Sequence, residues 1–67
     1  MLKISLNGIE RQIDPTTNVA ALLAENGYAE RKIAVEVNRE IVPKSAYAQR
    51  LLHDGDRVEI VQALGGG

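Results

Sequence analysis

The sequence predicts an α+β domain: one mixed β-sheet with a single main helix packed across one face. Three observations carry that expectation. Short stretches of alternating apolar and polar residues recur and end at turn signals. Only the segment from Val19 has a strong i, i+3, i+4 apolar stripe, in Val19, Leu22 and Leu23. The chain has 67 residues, enough for one small core. A lone amphipathic helix then has only the sheet on which to bury its stripe.

The first strand is Leu2 to Leu6, with Leu2, Ile4 and Leu6 on one side and Lys3 and Ser5 on the other. Asn7-Gly8 follows and signals a tight hairpin, because both residues tolerate positive φ. Ile9 to Ile13 is the second strand. Arg11 shares a face with Ile9 and Ile13, which places the strand near an edge. Asp14-Pro15-Thr16-Thr17 ends it, since proline cannot donate to a sheet ladder. Thr17 or Asn18 is the N-cap of a short helix from Val19 to Asn26, and Gly27 stops that helix. Ile33, Val35 and Val37 alternate with Ala34, Glu36 and Asn38 as a third strand. After a turn at Asn38-Arg39-Glu40, Glu40 to Val42 is a short fourth strand that Pro43 stops. Lys44 to Leu52 carries a weak helical pattern, a single turn packing Tyr47 and Leu51. His53-Asp54-Gly55-Asp56 is a turn, and Arg57 to Gln62 is the last strand.

Strand, strand, helix, strand, strand, short helix, strand is the order of a β-grasp, or ubiquitin-like, domain. The expected division is a body over residues 1–64 and a flexible glycine tail over 65–67. The expected core is Ile4, Leu6, Ile13, Val19, Leu22, Leu23, Ile33, Val35, Val37, Leu51, Val58 and Ile60.

Composition excludes several functions. There is no cysteine, hence no disulfide and no thiolate metal site. Small secreted domains usually depend on disulfides, so the expectation is a cytoplasmic protein held by packing. No apolar run approaches a membrane span, and the N-terminus lacks the pattern of a signal peptide. The net charge is −1 and the only aromatic residues are two tyrosines. That leaves no basic face for nucleic acid and no stacking platform for single strands. So small a chain has little scaffold for an enclosed catalytic pocket.

The segments that resemble a known family are Lys3-Ile4-Ser5-Leu6-Asn7-Gly8, Val19-Ala20-Ala21-Leu22-Leu23 and Val35 to Pro43. The most specific stretch is Leu52-His53-Asp54-Gly55-Asp56-Arg57-Val58-Glu59-Ile60-Val61-Gln62, running into the terminal glycines. In that order, over essentially the whole chain, they resemble the thiamine-biosynthesis sulfur-carrier family, often called ThiS. The sulfur carrier of molybdopterin synthesis is the neighbouring family, but its members tend to be longer and to have prolines before the tail. Here Val61-Gln62-Ala63-Leu64 precedes the glycines. Gly65 stands where some thiamine carriers have a larger small residue.

The resemblance implies a carrier rather than an enzyme. A ThiF-like adenylating enzyme would join AMP to the carboxylate of Gly67, using ATP and magnesium. A sulfur donor, such as a cysteine desulfurase or a rhodanese-type protein, would displace AMP and leave a thiocarboxylate. A thiazole synthase would take the sulfur. Gly65 and Gly66 would thread into the activating site. Val61, Ala63 and Leu64 are the expected docking contacts, with Arg39 and Arg57 at the rim. The chain itself would bind no cofactor and no metal, and it would be a monomer when free.

Plainer readings stand beside these. Terminal glycines are often only a disordered end. Asp54-Gly55-Asp56 reads as a turn, because a calcium loop needs many more oxygen ligands at fixed spacing. His53 has no catalytic companion, and Ser5 and Ser45 have no adjacent base. Tyr28 and Tyr47 read as half-buried packing residues. Other functions remain open: molybdopterin synthesis, transfer-RNA thiolation, a ubiquitin-like modifier joined to lysines, or a docking module whose tail is inert.

Overall fold

Local rules place each element where the sequence puts it. A computed structural model of the chain describes residues 1–29 and 31–62. Strands β1 (Leu2–Leu6) and β2 (Ile9–Ile13) form an antiparallel hairpin. Its turn residues Asn7 and Gly8 have φ of 50° and 84°, the left-handed pair that a two-residue hairpin loop requires. Helix α1 spans Val19–Glu25. Asn18 is its N-cap: the side-chain Oδ1 accepts from the Ala21 N–H at 2.7 Å. At the other end Gly27 has φ 82°. The Tyr28 N–H donates to the Leu23 carbonyl at 2.8 Å and the Gly27 N–H to that of Ala24 at 3.4 Å, a Schellman motif.

β3 (Ile33–Val37) and β4 (Glu40–Val42) form a second antiparallel hairpin. A single 3₁₀ turn follows at Lys44–Ala46, and β5 (Arg57–Gln62) completes the sheet. The strand order is β2-β1-β5-β3-β4, with β5 parallel to β1 and antiparallel to β3. This is the β-grasp arrangement. Val19, Leu22 and Leu23 of α1 join Ile4, Leu6, Val35, Val37, Val58 and Ile60 of the sheet in one apolar cluster. The edges are blunted: β2 carries Glu10, Arg11 and Gln12, and β4 is three residues long. Among the described residues no helix is long and apolar enough to cross a membrane.

The structure corrects the expected core at the end of the short-helix segment. Leu52, not Leu51, is buried: Leu52 is 1% exposed and Leu51 49%. The 3₁₀ turn ends at Ala46, turns continue through Gln49, and the chain from Arg50 to Leu52 then fastens to the entry of α1. The Val19 N–H donates to the Arg50 carbonyl at 2.9 Å, and the Leu52 N–H to the Thr17 carbonyl at 3.1 Å. Across this antiparallel bridge of Asn18 with Leu51, adjacent side chains point to opposite sides, so one leucine goes in and its neighbour out. Val42 joins the core because β4 pairs it with Val35, whereas Ile33 is only partly buried.

The β3–β4 hairpin carries local strain. Asn38 and Arg39 have φ of 52° and 69°. Asparagine tolerates this region, but arginine there costs about 1–2 kcal/mol. Arg39→Gly relieves that strain and gives back part of the gain as unfolded-state entropy. A net stabilisation of about 0.5–1 kcal/mol is expected, read as a higher urea midpoint. A lower midpoint would mean that the arginine side chain contributes more than the strain removes.

Candidate functional site

The tail predicted to carry the chemistry follows β5, so the site is built outward from that strand. β5 lies in the middle of the sheet, and two asparagines from the neighbouring turns bind it. The Ile60 N–H donates to Oδ1 of Asn7 at 2.7 Å, and the Arg57 N–H to Oδ1 of Asn38 at 2.9 Å. Both asparagines have positive φ, so each serves its own turn and the strand beside it. The sequence reading gave Asn7 the turn alone.

The approach to β5 is organised by Asp56, which is 8% exposed. One carboxylate oxygen accepts from Asn38 Nδ2 at 2.9 Å and the other from the His53 N–H at 2.8 Å. The neighbouring Asp54 accepts from the Lys3 N–H at 2.8 Å. Asp54-Gly55-Asp56 is therefore a turn, with Gly55 at φ 87°. Among the described residues no group of acidic or histidine side chains could hold a metal ion. His53 is exposed; its Nδ1 lies 3.9 Å from Asp56. A separate turn lowers the Asp14 carboxyl from its ordinary value, through the Thr16 hydroxyl first and the Thr16 N–H second. Its contribution to stability is present above the ordinary carboxylate range and is lost as pH falls through the lowered value.

The sheet face away from α1 is open. At its tail end Val61, 61% exposed, pairs with Ala34. Two pairs further back, on the same face, Glu59 lies opposite Glu36, and Glu36 pairs on its other side with Ile41, which is 72% exposed. The result is an apolar patch of Ile41, Val61 and Ala34 around two carboxylates. The sequence reading found Val61 but not Ile41; apolar and exposed on a short edge strand, Ile41 was the available signal. Arg57 begins β5, and its carbonyl accepts from the Asn38 N–H at 2.8 Å. Arg57 and the Asn38-Arg39 turn therefore sit at the far end of the strand, roughly 17 Å from Gln62 at about 3.3 Å per residue. Ala63, Leu64, Gly65, Gly66 and Gly67 lie outside the described residues.

Comparison with known proteins agrees with this architecture. The sequence profile of the ThiS family matches residues 4–67. A thiazole synthase of Paramagnetospirillum magneticum is 53% identical over 66 residues, and one of Magnetococcus marinus is 36% identical. Each match covers 98% of this chain but 20% of the relative, so the chain spans about one fifth of the length of these proteins. The sulfur carrier protein ThiS of Escherichia coli is 29% identical, with 98% of this chain and all of that protein covered. The crystal structure of a thiamine biosynthesis protein (ThiS) from Geobacter metallireducens superposes with a TM-score of 0.84 at 30% identity, covering 98% of this chain and 100% of that one.

Proposed function

The chain belongs to the ThiS family, and from that membership we propose that it is a sulfur carrier of thiamine biosynthesis whose cargo rides on the carboxylate of Gly67. The observation that carries the reading is the family match, which runs through the terminal glycines to residue 67.

A carboxylate is a poor electrophile and must be activated. One of its oxygens attacks the α-phosphate of ATP on a ThiF-like adenylating enzyme, and pyrophosphate leaves with magnesium. A sulfur nucleophile supplied by a donor protein then attacks the acyl carbon, and AMP leaves. Where the donor carries the sulfur as a persulfide, a second thiol then cleaves the acyl disulfide and forms a disulfide with the donor, and the chain is left ending in a thiocarboxylate. A thiazole synthase accepts that sulfur. The names of the two relatives that contain a matching segment support this acceptor. In those proteins a segment like this chain belongs to a longer polypeptide, which would raise its effective concentration at any site it serves. The chain contributes no catalytic group of its own in this scheme.

Glycines suit such a tail. An acyl adenylate must be shielded from water, so the activating site is narrow. A residue without Cβ passes where others clash. Leu64 to Gly67 reaches about 13 Å at roughly 3.3 Å per residue. Ordering glycines is entropically costly, and docking of the body offsets that cost. The open face supplies the surface at Val61 and Ile41, and Ala63 and Leu64 follow in sequence. Arg39 and Arg57 take part only if the partner covers the full length of β5.

The test is intact mass. The chain is mixed with its cognate adenylating enzyme, ATP, magnesium and a sulfur donor. The expected product is heavier by the difference between sulfur and oxygen, with the change confined to the C-terminal residue. No adduct and no AMP release with a proven active partner would sink the reading. Covalent attachment to lysines of other proteins would point to the modifier instead.

A further inference from the structure

The sheet face away from α1 holds two unlike features side by side. Ile41 and Val61 stand exposed on it as large apolar side chains. Glu36 of β3 and Glu59 of β5, on the same face, are direct cross-strand partners. In such a pair the Cβ atoms lie about 5 Å apart, and like charges placed there destabilise a sheet. Among the described residues neither carboxylate has an ion-pair or hydrogen-bond partner. Arg57 lies on this face two residues before Glu59, and it forms no ion pair with either glutamate. Glu36 is half-buried, with Ile41 paired on its other side, so its charge is partly screened from water. The folded body bears this repulsion, and a cation from outside would relieve it.

We propose that the adenylating enzyme places one arginine side chain between Glu36 and Glu59, with apolar side chains of its own packed on Ile41 and Val61. The proposal rests on the carrier reading and adds to it the chemistry of the contact. A guanidinium is flat and carries five N–H donors, so one group can serve two carboxylates whose Cβ atoms are about 5 Å apart. Lysine is a point charge and lacks that fork. Apolar neighbours that exclude water strengthen the attraction, and arginine is among the residue types that dominate binding energy at interfaces. Two arguments choose the adenylating enzyme. Glu59 lies about 10 Å before Gln62 at roughly 3.3 Å per residue, so an enzyme that draws in the tail comes within reach of this face. At that enzyme the carboxylate of the tail must also approach the triphosphate of ATP, anion against anion. Attraction at the docking face offsets that repulsion, whereas the enzyme that accepts the sulfur meets the chain without ATP. Held by two carboxylates, the arginine also fixes the orientation of the body, as in-line attack requires.

The experiment follows AMP release by the cognate adenylating enzyme, with ATP, magnesium and a sulfur donor, as the concentration of the chain is varied. Glu36→Gln and Glu59→Gln keep the shape of each side chain and remove its charge. Each should raise KM for the chain by about tenfold and leave kcat unchanged, as expected for loss of one charge-assisted contact. Each should also raise the urea midpoint, because the repulsion within the pair is gone. A variant that only damaged the fold would lower that midpoint, so the two readouts separate docking from structure. Glu10→Gln, at an exposed acidic residue of β2, is the control and should leave KM unchanged. Sulfur transfer from the purified thiocarboxylate to the thiazole synthase should keep its wild-type KM in all three variants. An unchanged KM for adenylation, an equal or larger rise with the thiazole synthase, or a lower urea midpoint overturns the proposal and leaves the carrier reading intact. A wild-type chain that a proven active partner never adenylates overturns both.

Discussion

Deletion of Gly66 and Gly67 is expected to lower adenylation by at least about 10²-fold while leaving the fold untouched. The shortened chain still ends in a carboxylate, so the chemistry of the group is unchanged and only its position differs. Two residues at about 3.3 Å each withdraw it by roughly 7 Å. A misplacement of about 1 Å already costs on the order of 10²-fold when reacting groups must meet in a fixed geometry. The core residues among those described all lie between Ile4 and Ile60, so the urea midpoint should not move. Release of AMP in a single-turnover assay is the measurement. Full activity in the shortened chain would mean that the tail is inert and that the domain only docks.

Asp56→Ala is expected to remove about 2–4 kcal/mol of stability, the largest loss predicted for any one side chain here. Truncation leaves Asn38 Nδ2 and the His53 N–H without their acceptor, and Asp56 sits where water barely reaches. An unsatisfied buried donor costs about 1–3 kcal/mol. A domain of this length has about 3–10 kcal/mol in total. The variant should therefore unfold at a much lower urea concentration, and exchange of backbone amides should speed up at Arg57 and Asn38 first. Asp54→Ala is the control. It loses one exposed bond to the Lys3 N–H and should cost about 0.5–1.5 kcal/mol. Equal losses from the two variants would contradict the role given to Asp56.

Period and punctuation made the framework legible. Alternation marked β1, β3 and β5; Asn7-Gly8 marked a hairpin, Thr17 or Asn18 a helix start, which the structure places at Asn18, and Gly27 a helix stop. Each of these is a local rule that needs only neighbours in sequence. The errors arose where the decision was not local. Leu51 follows Tyr47 at helical spacing, and nothing nearby says that the chain becomes extended and joins Thr17 and Val19 instead. Val42 and Ile41 are adjacent apolar residues on a three-residue strand, and only pairing with β3 decides which is buried. Asp56 looked like half of a turn because its partners, Asn38 and the N–H of His53, meet only after β3 and β5 have paired. The site divides in the same way. Val61 could be read from alternation. Its companions Ala34 and Ile41 and the facing of Glu36 with Glu59 are products of strand order. Arg39 and Arg57, grouped by charge with the tail contacts, fall at the other end of β5.

The strand order also sets when the domain can form. β1 with β2 and β3 with β4 are hairpins closed by two-residue turns, so each can form early and by itself. Between the two hairpins the sheet is continuous only through β5, the last strand of the described chain. A growing polypeptide that lacks residues 57–62 therefore has two ribbons and a helix with no common sheet. Pairing of β1 with β5 must close nearly the whole chain into a loop, the kind of distant contact that slows folding. The domain should then assemble in one late step, and an incompletely synthesised chain would present no ordered surface for an activating enzyme to recognise.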